Sequence, residues 1–318
     1  MSTILVTGAG GFVGNWLAKR LLGDGHAVVG ATNTGEAPAG GLLTDREIHA
    51  VEWRPLELLD PASVTHLVHR PFDGVVHLAA VSSGADARRD PGAAWAVNAG
   101  GTARLLDELG KRRLAGETDP LVVIASTGEV YGARARAPLR EDAPVAPVSP
   151  YAASKAGAEL AARETSDRTG LRVVIARPFQ QTGPGQDERF VVPALVRRLI
   201  AARDLGSHAV KVGNLDPVRD FLDVRDVAAA IVGLLEEGEA GETYNIATGK
   251  GIALDDLFAL VAEAVGVRAV AEADPKLMRP SDIPYLVGDP SKLTASTGWR
   301  AAIPFEQTLA DLIASQTP

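Results

Sequence analysis

The 318-residue chain contains no cysteine, and that absence excludes disulfides, zinc–thiolate sites and a cysteine nucleophile together. Aromatic residues make up only 5% of it, so a core must be assembled mainly from Ala, Val, Leu and Ile. Basic residues are outnumbered, 32 against 40 acids, for a formal net charge of −8. Non-specific nucleic-acid binding needs lysine and arginine to displace counterions, so no nucleic-acid partner is expected. No apolar run reaches the ~18 residues of a membrane span, and no membrane partner is expected either. The opening stretch MSTILVTGAGG turns glycine-rich before a signal-peptide core can form, which predicts a cytoplasmic protein. The histidines show no metal-ligand spacing, and the expected metal complement is none.

What the chain does have is a series of short β-branched runs: TILVT (3–7), HAVVGAT (26–32), HAVEW (49–53), GVVHLAA (74–80), LVVIAS (121–126) and RVVIAR (172–177). Segments of helical character lie between them, beginning near Gly11, Pro61, Trp95 and Pro150. Continuous apolar strands separated by helices predict an α/β fold with a doubly wound parallel sheet. Its ligands belong beyond the carboxyl ends of the strands. After Arg177 the rhythm loosens. RPFQQTGPGQDERF (177–190) reads as a loop gathered around a ligand, and VVPALVRRLIAARD (191–204) as a helix. The organisation expected is a dinucleotide-binding unit over 1–177 and a smaller α/β substrate-binding unit over 178–318. TYNIA (243–247) is a candidate to return a strand to the first sheet.

Two short motifs carry chemistry. Gly8, Gly11 and Gly14 follow the first strand with G-x-x-G-x-x-G spacing, which lets a backbone approach a pyrophosphate at a helix N-terminus. That predicts NAD(P)(H) as cofactor. The segment GATNTGE (30–36) brings no acid to the end of the second strand and no arginine, so NAD and NADP both stay open. Further on, SPYAASKAGAEL (149–160) offers Ser149 as N-cap and Pro150 at the first helical position. Tyr151 and Lys155 then stand one helical turn apart.

With HLAA (77–80), NAGGT (98–102), STGEVYG (126–132) and RPFQQTGPG (177–185) in that order, the chain resembles the extended short-chain dehydrogenases/reductases of the nucleotide-sugar epimerase/dehydratase/reductase type, over essentially its whole length. The resemblance implies a Rossmann sheet and a catalytic set of Thr127, Tyr151 and Lys155, with Glu129 beside them. It also implies cofactor contacts at Gly8, Gly11, Phe12, Val13, Gly14, Asn33, Leu58, Leu78, Ala79, Ala80 and Asn98, joined by Tyr151 and Lys155. A free phenol has a pKa of about 10, and a neighbouring ammonium is expected to lower it toward neutrality. Lys155 would also hold the nicotinamide ribose, and Thr127 would align the substrate oxygen.

The second half resembles the GDP-6-deoxy-D-mannose reductases most, which implies NAD(P)-dependent reduction of the C4 ketone of GDP-4-dehydro-6-deoxy-D-mannose to GDP-D-rhamnose. Ser82, Gln180, Arg219 and Arg279 are the implied substrate contacts, the arginines directed at a diphosphate and a ribose. The plain alternative for the arginines is ion pairing with Asp220, Asp223 or Asp282. Gln180 stands where the family usually has asparagine, and Asn33 where relatives often carry a base. Glu129 does not decide the reaction, because sugar 4,6-dehydratases use an acid at this place and the related mannose-type reductases can carry one there too. A 4-epimerase or 4,6-dehydratase with retained NAD(P), and a dinucleotide sensor without turnover, stand as alternatives. A homodimer is expected, packed through the helix bearing Tyr151 and the one following Asn98.

Overall fold

Leu5 faces one hydrophobic core while its neighbours Ile4 and Val6 face another, so the first strand is buried on both sides. The computed structural model describes residues 1–38, 41–134, 136–278 and 283–316. In chain order the first part runs β1 (Thr3–Thr7), α1 (Phe12–Gly23), β2 (Ala27–Thr32), α2 (Asp45–Ala50), β3 (Val51–Pro55), α3 (Pro61–Leu67) and β4 (Gly74–His77). There follow α4 (Gly84–Arg89), α5 (Pro91–Trp95), a π-helical turn (Ala96–Gly101), α6 (Thr102–Leu114), β5 (Leu121–Ala125), a 3-10 turn (Gly128–Tyr131), α7 (Pro150–Thr169) and β6 (Arg172–Pro178).

The third strand begins later than the run HAVEW suggests. Thr44 and Glu47 form a capping box, each side chain bonding the other's backbone N–H, and they start a helix that takes residues 45–50. The pattern of β-branched residues could not show that competition.

The second part comprises β7 (Gln180–Thr182), α8 (Val191–Leu205), β8 (Ala209–Val212), β9 (Val218–Arg219), β10 (Phe221–Asp223), α9 (Val224–Glu237) and β11 (Thr243–Ile246). It continues through β12 (Ile252–Ala253), α10 (Leu254–Val265), β13 (Val270–Ala273), β14 (Tyr285–Leu286), α11 (Ser291–Thr297) and α12 (Phe305–Gln316). The stretch 177–190 is not all loop: β7 pairs in parallel with β10, which fixes Gln180 opposite Phe221. A third core, including Leu199, Phe221, Leu257, Val261 and Leu312, holds this part together.

The main sheet has seven strands in the order β3-β2-β1-β4-β5-β6-β11. Every pairing in it is parallel, including that of the late strand β11 with β6. α1 and α9 cover one face of it, and α3, α6 and α7 the other. The strand order reverses between β1 and β4, where a crevice opens at the carboxyl ends. Both motifs singled out in the sequence converge there.

Candidate active site

Gly8 follows β1 with φ +70°, and a Cβ placed on it would come within 2.8 Å of the Ala79 nitrogen. A Cβ on Gly14 would lie 2.3 Å from the Gly8 carbonyl oxygen, so position 14 tolerates no side chain. The Gly11 N–H donates to Gly8 O at 2.9 Å and closes the turn. No side chain caps α1, so its first-turn amides at Phe12 and Val13 have no side-chain acceptor. These features fit the pyrophosphate of a dinucleotide: a turn of glycine and alanine ending on an uncapped helix N-terminus. An adjoining cavity of about 270 Å³ is lined by Gly8, Thr32, Asn33, Leu58, Ala79 and Ala80, among others. Asn33 is exposed there, on a turn held by the Thr32 hydroxyl, which accepts from Gly35 N–H and donates to the Glu36 carbonyl.

The catalytic candidates meet on the other side of Ala80. Ser149 caps α7 by accepting from Ala152 N–H at 3.1 Å, with Pro150 at the first position. This start places Tyr151 at the wall of a cavity of about 360 Å³, together with Ser82, Glu129, Gln180, Arg219 and Phe221. Thr127 opens the 3-10 turn after β5, accepting from Glu129 N–H at 3.2 Å, and its hydroxyl lies near enough to the Tyr151 phenol to favour the ionised form. Lys155 is buried one turn further along α7.

The electrostatics reverse one expectation. Lys155 does not make Tyr151 acidic: burial pushes the phenol above its ordinary value, the Glu129 carboxylate pushes it further, and the Thr127 hydroxyl opposes both only in part. Lys155 is itself stripped of water, which pulls it down to about 8 against the opposing pull of Glu159. Helical spacing brings the pair together but does not reveal how deeply both are desolvated.

Asn98 lies in the π-helical turn, and its side chain is used in the scaffold. Its Oδ1 accepts from Val81 N–H at 2.8 Å, while Nδ2 donates to Val81 O and to Ser154 Oγ, which in turn donates to the Tyr151 carbonyl. It thus ties the end of the β4 loop to the first turn of α7. His77 is another such tie. The Thr102 hydroxyl donates to Asn98 O at 2.5 Å, so it accepts from His77 Nε2–H at 3.0 Å; His77 Nδ1 then accepts from Thr7 Oγ1 at 2.7 Å. Thr7 Oγ1 accepts in turn from the Ala79 N–H. Burial, and the charge of Lys155, push His77 down to about 3, so the ring is neutral.

On the substrate side, Gln180 donates from Nε2 to Glu129 Oε1 at 3.5 Å, which uses that carboxylate as an acceptor. Arg219 is 8% exposed and donates from Nη1 to Val218 O and Ile283 O. Asp220 does not pair with it: that carboxylate accepts from the Thr248 N–H and hydroxyl, Gly249 N–H and Gly288 N–H. Asp223 pairs with Arg225 at 2.7 Å. Arg279 and Asp282 lie outside the described residues. Behind the site sits a buried ion pair that the motifs did not single out, Arg177 with Glu159, with Nη2 2.6 Å from Oε2. An acid four residues past Lys155 in an alanine-rich helix was the available signal. Among the described residues no cluster of His, Asp or Glu could hold a metal, and no helix is long and apolar enough to cross a membrane.

The family described as GDP-mannose 4,6 dehydratase matches residues 5–312. The chain is 35% identical over 260 residues to the GDP-6-deoxy-D-mannose reductase of Pseudomonas aeruginosa, covering 81% of this chain and 84% of that protein. The structure of RMD from Pseudomonas aeruginosa complexed with NADPH is similar with a TM-score of 0.84 and 31% identity, over 99% of this chain and 98% of that one. The Thermus thermophilus UDP-glucose 4-epimerase in complex with NAD is similar with a TM-score of 0.84 and 30% identity, over 98% of each chain.

Proposed function

Because the chain belongs to the GDP-mannose 4,6 dehydratase family of extended short-chain dehydrogenases/reductases, we propose that it reduces the C4 ketone of a nucleotide-activated 4-dehydro-6-deoxy sugar with NAD(P)H. GDP-4-dehydro-6-deoxy-D-mannose, giving GDP-D-rhamnose, is the substrate this reading favours, since a GDP-6-deoxy-D-mannose reductase is among the relatives. The nicotinamide, when bound, supplies the hydride that goes to C4. The glycine turn at 8–14 and the N-terminus of α1 hold the pyrophosphate, and Asn33, Leu58, Leu78, Ala79 and Ala80 border the adenosine side.

One observation supports this reading: Tyr151 stands on the wall of the larger cavity with Glu129 and Gln180, where burial and the Glu129 carboxylate hold its phenol above its ordinary value. A protonated phenol is what reduction needs, because the ketone oxygen must receive a proton as C4 receives hydride. Thr127 donates to that oxygen and orients it. Lys155 grips the nicotinamide ribose hydroxyls, and Arg219 faces the diphosphate as a charge-assisted donor. Ser82, Gln180 and Arg279 complete the contacts to the sugar nucleotide.

Epimerisation or 4,6-dehydration would start instead by withdrawing a proton from the C4 hydroxyl, and dehydration would need an acid from Glu129. The experiment is direct: purified protein is mixed with NADPH or NADH and the 4-keto sugar nucleotide. Stoichiometric loss of the reduced-nicotinamide absorbance supports reduction. Product formed without that loss overturns it in favour of a retained, recycled cofactor.

A further inference from the structure

The helix that carries Tyr151 and Lys155 puts a third ionisable group on the same line. Glu159 lies one turn beyond Lys155 and is 4% exposed, and nothing in the reduction above uses it. Its Oε1 accepts from Ser126 Oγ at 2.5 Å and from Arg177 Nε at 2.9 Å; its Oε2 accepts from Arg177 Nη2 at 2.6 Å. Ser126 immediately precedes Thr127, and Arg177 belongs to β6. One buried acid therefore joins the ends of β5 and β6 to the middle of α7. A buried charge persists only with partners, and Arg177 alone would satisfy that need. The hydroxyl beside Thr127 and the ammonium one turn back are what that simpler account leaves over.

We infer that Glu159 is a positioning residue of this site, fixing Thr127 through Ser126 and acting as the counter-charge of the Lys155 ammonium. The inference rests on the reading above for what Lys155 does, but not for the geometry. The other ionisable groups around the site have their own arrangements. His77 on β4 is neutral. Arg177 on β6 is paired with Glu159 and lies over the Tyr131 ring at 4.8 Å. Glu141, in the loop before α7, accepts from Asn245 N–H. Tyr151 and Glu129 form the cavity wall. Glu159 is the group that supports the lysine's charge against burial.

The test needs neither cofactor nor sugar. In protein labelled with carbon-13 at lysine only, the Lys155 Cε resonance, assigned by its loss in Lys155→Arg, should titrate at about pH 8. Glu159→Gln should lower that midpoint by about one unit, because a buried ammonium without its counter-charge releases its proton sooner. Since this variant leaves Arg177 buried without an anion and can fail to fold, Glu159→Gln/Arg177→Met removes both charges. If Glu159 merely neutralises Arg177, the double variant titrates as the native protein does, and the inference is overturned. If it is the counter-charge of Lys155, the double variant still titrates below the native midpoint. A lowered midpoint in a protein that turns over no 4-keto sugar would uphold this inference while removing the reductase reading.

Discussion

The Thr7 hydroxyl donates to His77 Nδ1 at 2.7 Å, binding the last residue of β1 to the last residue of β4 where the strand order reverses. Each hydrogen in the chain from Ala79 N–H through Thr7, His77 and Thr102 to the Asn98 carbonyl has one direction, which requires the ring to be neutral with its proton on Nε2. Nitrogen-15 spectra of the imidazole should show that tautomer at neutral pH. His77 is lowered from 6.5 to about 3 in the folded protein, so its contribution to stability is complete above pH 6.5. It is lost as the pH falls toward 3, by about 1.4 kcal/mol per unit. His77→Phe should flatten that part of the stability–pH curve in chemical denaturation. It should also leave the Thr7 O–H without its acceptor, at about 1–3 kcal/mol, while Thr102 keeps its bond to the Asn98 carbonyl.

Tyr151→Phe removes the proposed proton donor and leaves the ring in place. Turnover should drop by about 10²–10⁴-fold while NADPH affinity, measured by fluorescence, stays near that of the native protein. Turnover that survives this change would point to another donor.

Arg219→Lys keeps the charge but loses the planar fork. The KM for the sugar nucleotide should rise by about tenfold or more, with a smaller effect on kcat, because the contact proposed for it is to the non-reacting diphosphate. An equal fall in kcat alone would place Arg219 at the reacting carbon instead.

Trp95 and Leu160 leave 46% and 70% of their surface exposed, and Gly157 lets the indole pack closely against α7 between them. A second copy of the chain would cover this surface in the homodimer expected from the sequence. Leu160→Asp should shift the mass seen by light scattering from dimer to monomer at micromolar concentration. A native protein already monomeric there would refute the arrangement.

The legible part of the molecule was the part written in local pattern. The β-branched runs at 3–7, 121–126 and 172–177 are strands to within a residue, because burial on both faces leaves an unbroken apolar signature. The glycine spacing and the Ser149–Pro150 helix start were equally plain. What pattern could not carry was tertiary. β7 forms within a Pro/Gly/Gln stretch because β10 lies alongside to pair with it. The π-helical turn at Ala96–Gly101 has no periodicity of its own to announce it, yet it holds Asn98 between Val81 and Ser154. The protonation of Tyr151 depends on solvent exclusion by residues scattered through the chain, and so does the partnership of Glu159 with Ser126 and Arg177.

β11 reaches across from the second half of the chain to pair with β6, and so closes an edge that the first half would otherwise present to solvent. A fragment ending at Arg177 would expose a row of hungry backbone groups on β6 and would tend to clump. The two halves are therefore not interchangeable cassettes. Grafting one half onto another would have to rebuild the β6–β11 pairing that seals the sheet.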